Sequence, residues 1–261
     1  MYNPIRRNRN IGTSQQGKSQ NNHLEIPWPW MIGKHFTERL TKYETFSRYI
    51  QDHEFLFVVE ETRKDSLHAC SIEDILSLLA YISPQDYVDL RLIIFRQPKR
   101  KEEILRSAWG RLIYSYEFEG NHEPAIILEA VDYTRQLKWS KHLKPDRQAE
   151  LERLRADGHQ IEEDKRYFTA QYEPRFVRQT QLYRTLPHEI GHYVQYLETV
   201  VRPAKPDESS DEWYKRDDAY FAIPNNEKEA FAHRYADTFC EKMKKKGIIP
   251  FEPLNPTWKE N

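Results

Sequence analysis

Two histidines four residues apart flank a glutamate in the run His188-Glu189-Ile190-Gly191-His192. On a helix, residues four apart lie one turn above each other on the same face, so the two imidazoles converge on one point. Zinc takes nitrogen, sulfur or oxygen ligands at about 2.0–2.3 Å in tetrahedral array, and such a pair supplies two of them. Glu189, beside the first histidine, reaches a water at that point without being a ligand itself, which is the placement of a general base. The neighbouring residues suit a helix over about 185–201. Ile190, Val194 and Leu197 form an apolar stripe opposite the histidines. Thr185 is a helix-start signal, and Pro187 fits the first turn. Gly191 costs a helix about 1 kcal/mol relative to alanine, a cost that makes sense if another segment packs closely there.

A catalytic zinc site has three protein ligands and one open position. Glu198 is a poor third ligand: Gln195 stands where a glycine would have to turn the chain, so the helix runs on and carries Glu198 away. A second helix, over about 226–246, offers Glu229. There Glu229, Ala232, His233, Ala236, Cys240 and Met243 share one stripe, small enough beside Glu229 for close helix approach. Glu227 lies about 200° around the helix from Glu229 and cannot share its face. Asn225 or Asn226 is placed to cap this helix, Lys244 to Lys246 suit its negative end, and Gly247 stops it.

The pattern His188-Glu189-x-x-His192 followed by Glu229-x-Phe231-Ala232-x-x-Tyr235 resembles the gluzincin zinc peptidases, in particular minimal gluzincins and the lethal-factor-type catalytic domain. The resemblance spans about residues 166–246 and does not identify residues 1–160. It implies an α+β, zincin-like fold: a mixed β-sheet with an edge strand over the cleft, the HExxH helix, and a second ligand-bearing helix. It implies zinc held by His188, His192 and Glu229, with Glu189 as base, and hydrolysis of peptide bonds in a protein or peptide substrate. An edge strand in such folds pairs with an extended substrate; Arg166 to Tyr172 is either that strand or an ordinary interior one. A tyrosine or histidine donor is expected for the oxyanion, Tyr220 being the first candidate and His233 the second. The family often places an acid where His233 stands, leaving Asp237, one turn later, as a substitute orienter of a ligand histidine. The alternative is a non-catalytic zincin-fold regulator or binding protein; an intact Glu189 speaks against it.

The elements that must position these residues occupy a chain of 261 residues, 31% charged and 38% hydrophobic, with a formal net charge of −1. That balance does not favour nucleic acid or an acidic membrane as partner. No apolar run reaches 18 residues and no secretory leader is apparent. With Cys70 and Cys240 the sole cysteines, a reducing, cytoplasmic setting is expected. Residues 1–22, with Arg6, Arg7, Arg9 and Lys18 and no acid, read as a disordered basic tail, either solvated or touching nucleic acid. Residues 23–261 read as a single domain with an N-terminal α/β portion. Within it, Pro27-Trp28-Pro29-Trp30 is too proline-rich for a regular element, and residues 36–51 look helical. Strands are expected at Glu54 to Glu60, Val88 to Arg96, Arg111 to Phe118 and Ala125 to Val131. Helices are expected from Ser71 to Ile82, capped by Ser71, and over 145–157. Arg202 to Asp218 reads as a charged loop, either a lid or simply solvated.

Overall fold

Strand β4 (Leu92–Arg96) has every residue buried, as the apolar run Leu92 to Phe95 requires of a strand covered on both faces. It lies at the middle of a five-stranded sheet in the computed structural model, which describes residues 39–105 and 108–256. The order is β1 (Tyr43–Ile50), β2 (His53–Glu60), β4, β6 (Asn121–Glu129), β5 (Gly110–Phe118). The three central strands are parallel, and β1 and β5 close the edges antiparallel, so the sheet is mixed and the fold α+β. Strands β3 (Ser66–Leu67) and β7 (Val131–Asp132) form a short pair. A separate three-stranded sheet has the order β8 (Gln136–Ser140), β10 (Tyr167–Gln171), β9 (Glu162–Glu163). The tail 1–22 and the Pro27 to Trp30 segment lie outside the described residues.

Helix α1 (Ile72–Leu79) starts with a reciprocal capping box: Ser71 Oγ accepts from Asp74 N, and the Asp74 carboxylate accepts from Ser71 N. Helices α2 (Arg100–Leu105) and α3 (Pro145–Ala156) follow. A continuous helical run over residues 174–201, here α4, then crosses one face of the sheet. Next come α5 (Ser210–Ala222) and α6 (Asn225–Lys245). Phe57, Ile93, Phe95 and Ile126 of the sheet pack with Leu78 of α1, Leu186, Ile190 and Leu197 of α4, and Met243 of α6 in one core. Among the described residues, no helix is long and apolar enough to cross a membrane.

Four local expectations are corrected. The helix expected over 36–51 is instead strand β1 across Tyr43–Ile50, paired in register with β2 from Tyr43↔Glu60 to Ile50↔His53. Phe46, Arg48 and Ile50 turn inward in alternation, and cross-strand pairing outweighs the local helical pattern. The helix expected to start at Thr185 starts eleven residues earlier, at Pro174. Thr185 is itself helical, and residues Thr180–Thr185 form a π-helical turn. Pro187 therefore sits inside the helix, where it lacks the N–H for the carbonyl four residues back. That carbonyl, Tyr183 O, accepts from Cys240 Sγ at 2.7 Å instead. The charged loop is a loop only to Ser209, which caps α5 through a reciprocal box with Glu212. At α6, Pro224 occupies the N-cap and no asparagine side chain caps it, while Gly247 at φ +67° ends it as expected.

Candidate metal centre

The site is built where α4 crosses α6. A Cβ added at Gly191 would lie 2.9 Å from Ala232 Cα, 3.0 Å from Ala232 O and 3.1 Å from Tyr235 Cβ. The two backbones therefore touch, and glycine against alanine is what lets them. Ile190, Val194 and Leu197 anchor the far side of α4 in the core, and Ala232, Ala236, Cys240 and Met243 bury the facing stripe of α6. His188 and His192, one turn apart, are thereby held opposite Glu229.

Their Nε2 atoms are 3.1 Å apart. His188 Nε2 is 3.2 Å from one Glu229 carboxylate oxygen, and His192 Nε2 is 3.5 Å from the other. Donors placed about 2.0 Å from a common centre in tetrahedral array are about 3.3 Å from one another. The three groups thus stand at the corners of a metal-sized triangle. Two imidazoles and a carboxylate are also a donor set that suits zinc. The facing imidazoles hold the Glu229 carboxyl well below the usual carboxylate range. Glu227 and Glu198 take no part: among the described residues the group within metal distance is His188, His192 and Glu229, and Glu198 pairs with Arg202 one turn on.

Glu189 is buried behind the triangle, and its Oε2 accepts the Leu112 N–H at 2.8 Å. Burial pushes its carboxyl above the usual range, against the opposing pull of His188 and His192. Leu112 belongs to β5, the edge strand of the large sheet. β5 is thus the strand that borders the cleft, with Arg111, Leu112 and Tyr114 on its wall. The stretch Arg166 to Tyr172 contains β10, which lies between β8 and β9 and is an interior strand of the small sheet. Both stretches read as strands in sequence; the pairing partner separates them.

His233 stands at the site: its ring centroid is 4.4 Å from that of His188, at 45°. Burial, and then repulsion from His188, keep His233 below the ordinary histidine range. His188 Nδ1 is buried with no hydrogen-bond partner among the described residues, so neither His233 nor Asp237 orients that ring through it. Tyr220 is fully buried and is not among the residues lining the cleft. Its hydroxyl donates to His192 O at 3.3 Å and lies 2.6 Å from the Tyr114 hydroxyl. Tyr220 therefore braces the backbone of a metal-site histidine. Tyr114 and Lys228, which border the cleft with the triangle, were not singled out from sequence, and Asn225, beside them, was read only as a helix cap. The place of Tyr114 on the cleft wall follows from the edge position of β5, which sequence does not show. Cys70 and Cys240 are buried free thiols, as their number suggested.

No protein-family model matches the chain, and no curated protein or solved structure matches it.

Proposed function

We propose that the chain is a zinc-dependent peptidase of the gluzincin type, hydrolysing peptide bonds in a protein or peptide substrate. The observation that carries this reading is the convergence of His188, His192 and Glu229: the two Nε2 atoms are 3.1 Å apart, and each is 3.2 or 3.5 Å from one of the two Glu229 carboxylate oxygens. Zinc, when bound by these three residues, supplies Lewis acidity to a carbonyl and to water.

The chain's own groups do the rest. Glu189, with its pKa raised by burial, takes the proton of the attacking water and hands it to the departing amine. The Leu112 N–H holds one oxygen of that carboxylate and leaves the other for the proton. In an antiparallel strand a residue's N–H and C=O leave on the same side, so Leu112 also offers its carbonyl to an extended substrate laid along β5. Such backbone pairing holds a peptide with little regard to its sequence. Of the two oxyanion candidates, His233 borders the cleft and is the donor; Tyr220 is a positioning residue acting through His192 O. Two free, buried thiols support a reducing, cytoplasmic setting.

The test is Glu189→Gln. The variant should keep one zinc per chain by elemental analysis, since residue 189 is not a ligand. Hydrolysis of a proteome digest should fall by at least about 100-fold, the usual contribution of a positioned acid–base group. Equal cleavage by wild type and variant would remove the mechanism. No cleavage by wild-type zinc protein would favour a non-catalytic binding role.

A further inference from the structure

The cleft has two lobes that meet at His188, Glu189 and Glu229. The larger, about 420 Å³, runs between β5 and the start of α6 and is bordered by Tyr114, Asn225 and Lys228. The smaller, about 190 Å³, lies at the beginning of β5 and is bordered by Gly110, Glu150, Arg153, Arg184 and Thr185. Gly110 has no room for a side chain there, since a Cβ would come within 2.7 Å of Ile127 O and 2.9 Å of Thr185 Cγ2. The small lobe is lined by the Gly110 backbone and by the charged side chains of Glu150, Arg153 and Arg184.

Its hydrogen bonds single out one residue. Arg184 is fully engaged: Nε donates to Asp157 at 2.7 Å, and Nη1 and Nη2 donate to Glu150 at 3.0–3.2 Å. Glu150 is engaged in turn, its Oε2 also accepting from Arg153 Nε at 3.1 Å. Arg153, unlike Arg184, has Nη1 and Nη2 meeting no acceptor among the described residues. Its side chain is 37% exposed and lines the lobe. A planar guanidinium offering two parallel N–H groups fits a carboxylate in a two-point bond. Glu150 pairs with the Nε edge of Arg153, and the two open Nη groups match the two oxygens of a carboxylate better than the single oxygen of a neutral acceptor.

We infer that the small lobe takes a carboxylate of the substrate, held by Arg153, next to the scissile bond on the Gly110 side; this rests on the peptidase reading for the bond cleaved. The carboxylate is either an acidic side chain or the free α-carboxylate of a peptide's last residue. The two sources share one chemistry and differ in what they say about cleavage: internal acidic sites in the first case, removal of a terminal residue in the second.

The test uses zinc-loaded full-length Glu189→Gln protein, so that binding is read without turnover. The probes are N-acetylated alanine hexapeptides carrying one Glu, Gln or Lys at each position in turn, with the C-terminus free or amidated. Calorimetry should show a Glu peptide, or a free-acid peptide, bound about ten-fold more tightly than its Gln or amidated counterpart, the size of one charge-assisted contact. Adding Arg153→Gln should abolish that difference at unchanged zinc content, and Arg153→Lys should keep part of it. A preference following the Glu side chain assigns the internal source; one following the free terminus assigns the terminal source. Equal binding of Glu and Gln and of acid and amide, survival of the preference in Arg153→Gln, or no binding of any peptide would each overturn the inference. If acidic peptides bind through Arg153 but wild-type protein cleaves none of them, the carboxylate lobe stands and the peptidase reading falls.

Discussion

Replacing Gly191 by alanine tests the helix crossing on which the donor triangle depends. The added Cβ would sit 2.9 Å from Ala232 Cα and 3.0 Å from Ala232 O, both backbone atoms with no rotamer to yield. Ordinary contact begins near 3.4 Å, so α6 must retreat by about 0.5 Å. Glu229 sits three residues from Ala232 on the same stripe and moves with it. Metal–ligand distances tolerate only about 0.2 Å of error, so the retreat exceeds what the 3.2 and 3.5 Å sides can absorb without strain. Two effects then compete in stability. Alanine gains about 1 kcal/mol of helix propensity over glycine, and overpacking costs about 1–3 kcal/mol. The expected sum is a loss of up to about 2 kcal/mol in the metal-free protein. Zinc affinity should fall at least about ten-fold, equivalent to about 1.4 kcal/mol. Urea unfolding of the chelated protein reads the first quantity, and competition with a chromogenic chelator reads the second. A variant that is more stable by about 1 kcal/mol and binds zinc as before would show propensity acting alone, and the backbone contact would not exist.

Glu229→Ala should weaken zinc binding strongly while Glu227→Ala does little, and the same competition assay in reverse rank would refute the register of α6. Cys240→Ala should cost about 1–3 kcal/mol, because it strands the Tyr183 carbonyl that Pro187 already leaves without a helical partner; an unchanged urea midpoint would count against that bond. His68 and His159 are buried, and burial lowers both below the ordinary histidine value of 6.5. Each binds a proton more readily unfolded than folded, so their contribution to stability is complete above pH 6.5 and is lost as pH falls below it. The urea midpoint of metal-free protein should drop from pH 7.5 to pH 5, more shallowly in His159→Gln; a midpoint that rises on acidification contradicts the sign.

The triangle could be read from sequence because it depends on spacing within two helices. Four residues between His188 and His192 set one face, and the alanines beside Glu229 announced a close crossing that Gly191 then met. What escaped depends on partners distant along the chain. Tyr43–Ile50 is a strand because β2 pairs with it; its tyrosines, Thr45, Phe46 and Ile50 favour a strand without deciding one. Thr185 and Pro187 mimic a helix start, and only the π turn before them and the thiol of Cys240 show that the helix has already run from Pro174. β5 and β10 both read as strands, and the edge position that brings Leu112 to Glu189 comes from sheet order. Ser209 and Glu212, in contrast, form a box whose spacing was visible in the sequence.

The crossing at Gly191 and Ala232 also means that the two ligand-bearing helices are joined by surface rather than by chain. The residues between Arg202 and Asp207 are exposed, and none of them takes part in the triangle, in the Leu112 bond to Glu189 or in the Tyr220 bond to His192. New termini opened at Pro203 and Ala204 would therefore divide the polypeptide without dividing the site: one piece would carry His188, Glu189 and His192, the other Glu229 and His233. Expressed apart, each would lack a donor, and mixing them would make zinc binding a report on their reunion.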